Sequence, residues 1–209
     1  GRRKQWVRTM VVIGAVTAVA WWLPGCVTPP RNPHDLCEIF TERPGWYRST
    51  LAAEKRWNID QATQMAVIFQ ESSFRASVRP PRKKLLGFIP WTRPSSAYGY
   101  AQVLDSTWDL YRRVEAKSLA RRDRFGDATR FVGWYLDRVA AHANIDKTQA
   151  GTLYLAYHEG AGGFNRGTHR KKTWLLNAAS RVNTRAIQYR TQLNSCRPRL
   201  KKQSKWWRF

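Results

Sequence analysis

The chain has 209 residues, 43 % of them hydrophobic, with 11 Trp, 8 Tyr and 8 Phe, and a formal charge of +23. That content suits one domain with a real core and excludes a chain disordered by composition. The charge says nothing of the fold but points to anionic partners: nucleic acid, acidic lipid or an acidic polymer.

Residues 1–25 read as a separate object. A basic head, GRRKQWVR, precedes the uncharged run TMVVIGAVTAVAWWL, and LPGC follows at Leu23–Cys26. The run is short for a membrane span and has the layout of a secretory signal. LPGC resembles a bacterial lipoprotein box, which implies lipidation of Cys26; an uncleaved membrane anchor is the alternative. Either way the remainder is expected outside the cytoplasm. The signal holds four basic residues (Arg2, Arg3, Lys4, Arg8) and no acid, so the mature charge is +19 and belongs to the domain. If Cys26 carries lipid, Cys37 and Cys196 remain, and an oxidising compartment lets them pair; two unrelated buried thiols are the alternative. The three cysteines and four histidines have no metal-ligand spacing, and no metal or other cofactor is expected.

Residues 26–44 read as a proline-rich tether, 45–196 as the domain and 197–209 as a basic tail with Trp206 and Trp207. A helix is expected from near Trp46 through Asn58. Asp60 is a plausible N-cap for the next, QATQMAVIFQESS, in which Ala62, Met65, Ala66 and Phe69 form one apolar face. Residues 75–96 hold four prolines, six basic residues and no acid, and read as a long loop. Helices are then expected from Ser106 as N-cap, over DATRFVGWYLDRVAAHANI with Phe131, Trp134, Tyr135 and Val139 on one side, and from Asp146 as cap to a stop at Gly160. TWLLNAASRVNTRAIQYRTQL is the last long helix. No strand alternation extends beyond a few residues, so the fold class is mainly α.

Glu71 draws attention because an apolar helix runs into it. Near a helix C-terminus the macrodipole disfavours a carboxylate by about 0.3–1 kcal/mol, and flanking aromatics desolvate it. Both raise its pKa, as a general acid near neutrality requires. Downstream stand Gly99-Tyr100-Ala101-Gln102, then Asp105-Ser106-Thr107-Trp108, then Ala156-Tyr157-His158-Glu159-Gly160. With Glu71-Ser72 these resemble, in order and spacing over residues 50–194, the lytic transglycosylases of the lysozyme-like superfamily. In that family an E-S pair closes a helix, a G-L-M-Q turn precedes a helix start, and A-Y-N-A-G follows.

The resemblance implies a lysozyme-like domain with a long basic loop inserted after the catalytic helix. It implies cleavage of the β-1,4 bond between N-acetylmuramic acid and N-acetylglucosamine, with a 1,6-anhydro product. Glu71 would be the single acid/base. Ser72, Gly99, Tyr100, Gln102, Tyr157 and Glu159 would contribute to substrate binding. Ala101 replaces the methionine of G-L-M-Q, and His158-Glu159 replace Asn-Ala. Glu159 therefore raises the alternative of a second carboxylate and a hydrolytic muramidase, against that of a solvated acid at a helix end. A weakly active or inactive peptidoglycan-binding module of an envelope assembly is a further alternative. The expected partners are glycan strands, a membrane through the lipid anchor, and envelope-complex proteins. The export signal and the candidate disulfide argue against nucleic acid. The expected location is periplasmic and lipid-anchored; Val27, where an aspartate often marks inner-membrane retention, favours the outer membrane.

Overall fold

The computed structural model describes residues 28–82, 84–85, 89–90 and 94–206. The signal at 1–25, Cys26 and Trp207 lie outside the described residues, and the expected basic insertion falls partly outside them. Among the described residues the protein is built from seven α-helices, one 3-10 turn and a two-residue antiparallel ladder, Lys84–Leu85 (β1) with Ile89–Pro90 (β2).

Helix α1 (Leu36–Glu42) is capped by Asp35, whose carboxylate accepts from Glu38 N at 2.9 Å. It lies within residues 26–44, read from the sequence as a tether. Leu36, Ile39 and Phe40 are core residues there, because α1 docks on the last helix. Helix α2 (Pro44–Trp57) begins two residues before the expected Trp46, with Pro44 in the first turn, where its missing N–H costs nothing.

Asp60 caps α3 (Gln61–Ser72) as expected, accepting from Thr63 N at 2.6 Å. The same carboxylate accepts from Arg190 Nη2 at 2.5 Å and so ties α3 to the last helix. Beyond the expected apolar face, every residue from Gln61 to Ile68 is buried. The amide nitrogens of the buried glutamines are satisfied: Gln61 Nε2 donates to Thr50 Oγ1 at 2.8 Å and Gln64 Nε2 to Ile59 O at 2.7 Å. A helix enclosed on all sides gives its last turn a rigid base.

Four expected boundaries move. Helix α4 (Asp105–Val114) starts before Ser106, because Ser96 Oγ, from the preceding loop, accepts from Asp105 N at 3.0 Å. It stops well short of Arg122, ending near Ala116 in a left-handed conformation. After α5 (Phe125–Ala143), Asp146 caps a turn rather than a helix, accepting from Thr148 N at 2.8 Å. Helix α6 (Ala150–Asn165) then passes through Gly160, which kinks it at φ 69°, ψ 160° instead of ending it.

After the 3-10 turn Thr168–Lys171, helix α7 (Thr173–Trp206) runs on past Asn194 through Pro198 into the expected tail. A proline inside a helix removes one hydrogen bond. Leu200, 2 % exposed, and the Cys37–Cys196 disulfide hold the chain in place on either side of it. Helices α3 and α6 pack on α7, and α5 packs on α2 and α6. Trp46 and Phe125 stack at 3.7 Å where the first turns of α2 and α5 meet.

Candidate active site

Glu71 emerges from the last turn of α3, just before Ser73 and Phe74 turn the chain in left-handed conformations, φ 51° and 60°. It lies in a cleft of about 450 Å³. The loop before α4 supplies Ser95, Ala97, Gln102, Val103 and Leu104, and α4 supplies Thr107. Phe131 and Tyr135 come from α5, one helical turn apart, and Tyr157 and His158 from α6.

Burial pushes the Glu71 carboxyl from its ordinary 4.5 up to about 7, opposed in part by a hydrogen bond from the Tyr154 hydroxyl. Burial, then the nearby Glu71 charge, pushes Tyr154 itself well up, so it stays a donor. Tyr157 is likewise held far above its ordinary value by burial, then by Glu71. Its hydroxyl donates to Ala101 O at 2.6 Å and thus pins the loop to α6. Tyr135 packs edge-on against Tyr157 at 5.3 Å. The result is an acid with a protonated form at neutral pH, walled by rings that do not compete for its proton.

The loop is held by backbone geometry. Gly99 has φ +81°, and a Cβ there would stand 2.3 Å from Arg122 O, so no other residue fits. Gln102 has φ 46°, a conformation costing a non-glycine residue about 1 kcal/mol. Its side-chain amide offsets that cost by donating to Gly99 O at 2.8 Å and Val78 O at 2.9 Å. Both amide hydrogens are spent on the loop, which leaves its carbonyl oxygen for a ligand.

Glu71, Gln102 and Tyr157 therefore line one cleft. Gly99 serves it through the backbone. Ser72 is buried with its hydroxyl on Ile68 O at 3.1 Å and does not line the cleft. Tyr100 is 1 % exposed, edge-on to Trp46 at 5.8 Å and to Phe125 at 5.3 Å, so it supports the loop from the core side. Glu159 is neither a cleft-lining group nor a solvated acid. Its side chain is 5 % exposed and accepts from Lys172 Nζ at 2.7 and 2.9 Å, from Thr168 Oγ1 and from the His158 ring. Burial disfavours its charge, but these hydrogen bonds outweigh that and hold the carboxyl down at about 2. Tyr154 and Tyr135 were missed by sequence reasoning. The signal was available for the first: Tyr154 and Tyr157 are i, i+3 and share a helix face.

The Cys37–Cys196 disulfide links α1 to α7 with Cα atoms 6.0 Å apart. No curated protein matches the chain. The transglycosylase SLT domain family matches over residues 14–196, most of the length, and the chain belongs to that family.

Proposed function

We propose that the protein is a lytic transglycosylase that cuts the bond between N-acetylmuramic acid and N-acetylglucosamine in peptidoglycan, with Glu71 as the only acid/base. The observation that carries this is a carboxyl held protonated to about pH 7 in a ring-lined cleft beside a fixed glutamine. Family membership supports peptidoglycan as the substrate class.

In the first half-reaction the Glu71 O–H gives its proton to the bridging oxygen as the C1–O bond breaks. The muramyl N-acetyl group steadies the cationic centre at C1. In the second, the Glu71 carboxylate takes the proton of the C6 hydroxyl as O6 bonds to C1. The enzyme returns to its protonated state and the product carries a 1,6-anhydro end. The Gln102 carbonyl oxygen is free to accept from a sugar hydroxyl. A hydrolytic route through Glu159 is disfavoured, because that carboxylate is already committed to Lys172, Thr168 and His158.

The sequence of residues 1–27 supports export with Cys26 as lipid anchor, outer membrane favoured, with glycan strands and envelope proteins as partners. The excess positive charge suits a wall polymer whose stem peptides carry carboxylates.

Mass spectrometry of muropeptides released by the purified protein tests the reading. Anhydro ends are expected from the native chain, and at least a hundredfold less product from Glu71→Gln. Reducing ends would replace transglycosylation by hydrolysis. Equal release by both proteins would remove Glu71 from the chemistry.

A further inference from the structure

Three side chains on the α6 side of the cleft are linked in series. Glu159, covered and ionised, receives Lys172 and Thr168 on one side and the His158 Nδ1 at 3.0 Å on the other. Consecutive helical residues do not normally face one another; here they bond directly before the Gly160 kink. The His158 ring then stands edge-on to Trp174 at 4.9 Å. Trp174 is 55 % exposed, so much of a large indole that touches a cleft-lining residue remains open to water.

We propose that His158 is a saccharide-contacting residue of the Glu71 cleft, and that Glu159 is the positioning residue that acts through it. His158 lines the cleft together with Glu71, Gln102 and Tyr157. With Nδ1 committed to Glu159, Nε2 is the polar atom left for a ligand, and the carboxylate fixes both tautomer and ring plane. With the Nδ1–H given to the carboxylate, Nε2 presents its lone pair, and sugar hydroxyls and N-acetyl N–H groups are matching donors. Trp174 backs the ring and offers a flat apolar surface to the C–H face of an adjoining sugar. The assignment rests on the glycan-cleaving reading of the cleft and adds to it the group that grips the glycan opposite the loop.

The test uses a Glu71→Gln background, which separates binding from turnover, and a peptide-free tetrasaccharide of alternating N-acetylglucosamine and N-acetylmuramic acid as probe. Calorimetric Kd is measured after adding His158→Phe, His158→Gln, Glu159→Gln, and the Phe and Gln changes at 158 and 159 together. His158→Phe keeps the ring packed on Trp174 but has no polar atom, and is expected to weaken binding about tenfold. His158→Gln is expected to stay within about threefold. Glu159→Gln is expected to weaken binding in the presence of His158 and to add nothing once Phe stands at 158. With Glu71 present, His158→Phe is expected to raise KM with kcat within about twofold. Thermal melts verify that each variant is folded. Unchanged binding by His158→Phe overturns the contact, and additive effects at 158 and 159 overturn the positioning role. If the Glu71→Gln parent fails to bind the probe, the saccharide reading and this assignment fall together. If it binds while the native chain yields no anhydro ends, only the reaction falls and the binding series still decides His158.

Discussion

Glu71 pits stability against chemistry at one atom pair. Its carboxyl goes from about 4.5 unfolded to about 7 folded, through burial. Between those values the folded protein keeps a proton that the unfolded chain has released, so stability falls as pH rises across that window and is level above it. At about 1.4 kcal/mol per unit the cost above pH 7 is about 3 kcal/mol, an upper figure because Glu71 is only half-buried. Glu71→Gln removes the titration and keeps an acceptor for Tyr154. It is expected to melt roughly 5–10 °C above the native protein at pH 8.5 and with it at pH 4, read by thermal melts at both. Activity of the native protein is expected to decline above about pH 7, where the acid form is lost. Glu71 was legible as a candidate less from its helix end, an ordinary place for a glutamate, than from the order of Glu71-Ser72, Gly99–Gln102 and Ala156–Gly160, which resembles the family's. Tyr100 was misjudged because a tyrosine reads the same in sequence whether it faces a cleft or, as here, Trp46 and Phe125.

At the scale of elements, the decisive piece is the turn at Gly99–Gln102 between α3 and α4. Gly99→Ala would need a Cβ 2.3 Å from a backbone oxygen at φ +81°, which side-chain motion cannot relieve. A loss of about 2 kcal/mol or more in unfolding free energy is expected in denaturant melts. Muropeptide release should drop with it, because Gln102 hangs on Gly99 O. The six longer helices were legible from apolar spacing and from cap and stop residues, whereas α1 lay hidden in the proline-rich segment because its three core residues, Leu36, Ile39 and Phe40, are too few to make a pattern. Boundaries were not legible, since caps such as Ser96 Oγ on Asp105 N come from outside the helix they end. The continuation of α7 through Pro198 also runs against local preference and is supported by burial of Leu200 and by Cys196.

For the whole molecule, the disulfide closes nearly the full domain, with a sequence separation of 159. Chain-entropy arithmetic gives about 5 kcal/mol for such a loop, less what residual structure in the unfolded chain removes. A Cys37→Ser, Cys196→Ser variant is expected to melt roughly 10 °C lower, and reductant should lower the native protein by a similar amount. The Leu36 N–H donates to Gln192 Oε1 at 2.9 Å, and Gln192 Nε2 donates to His34 O at 3.0 Å. The α1–α7 contact therefore keeps a polar clamp after reduction, and the variant is expected to fold.

By itself the sequence determined the mainly helical class, Glu71 as a candidate acid and the two cysteines free to pair, while Gln102 and Tyr157 entered only through a motif order that resembles the family's. Those depend on local periodicity, residue chemistry and order along the chain. Only the tertiary structure decided which tyrosines face the cleft, that Glu159 is bound by Lys172 and Thr168, and that Leu36, Ile39 and Phe40 belong to the core. Side-chain direction and desolvation are set by what packs on each residue from far away in sequence, and no local pattern encodes them.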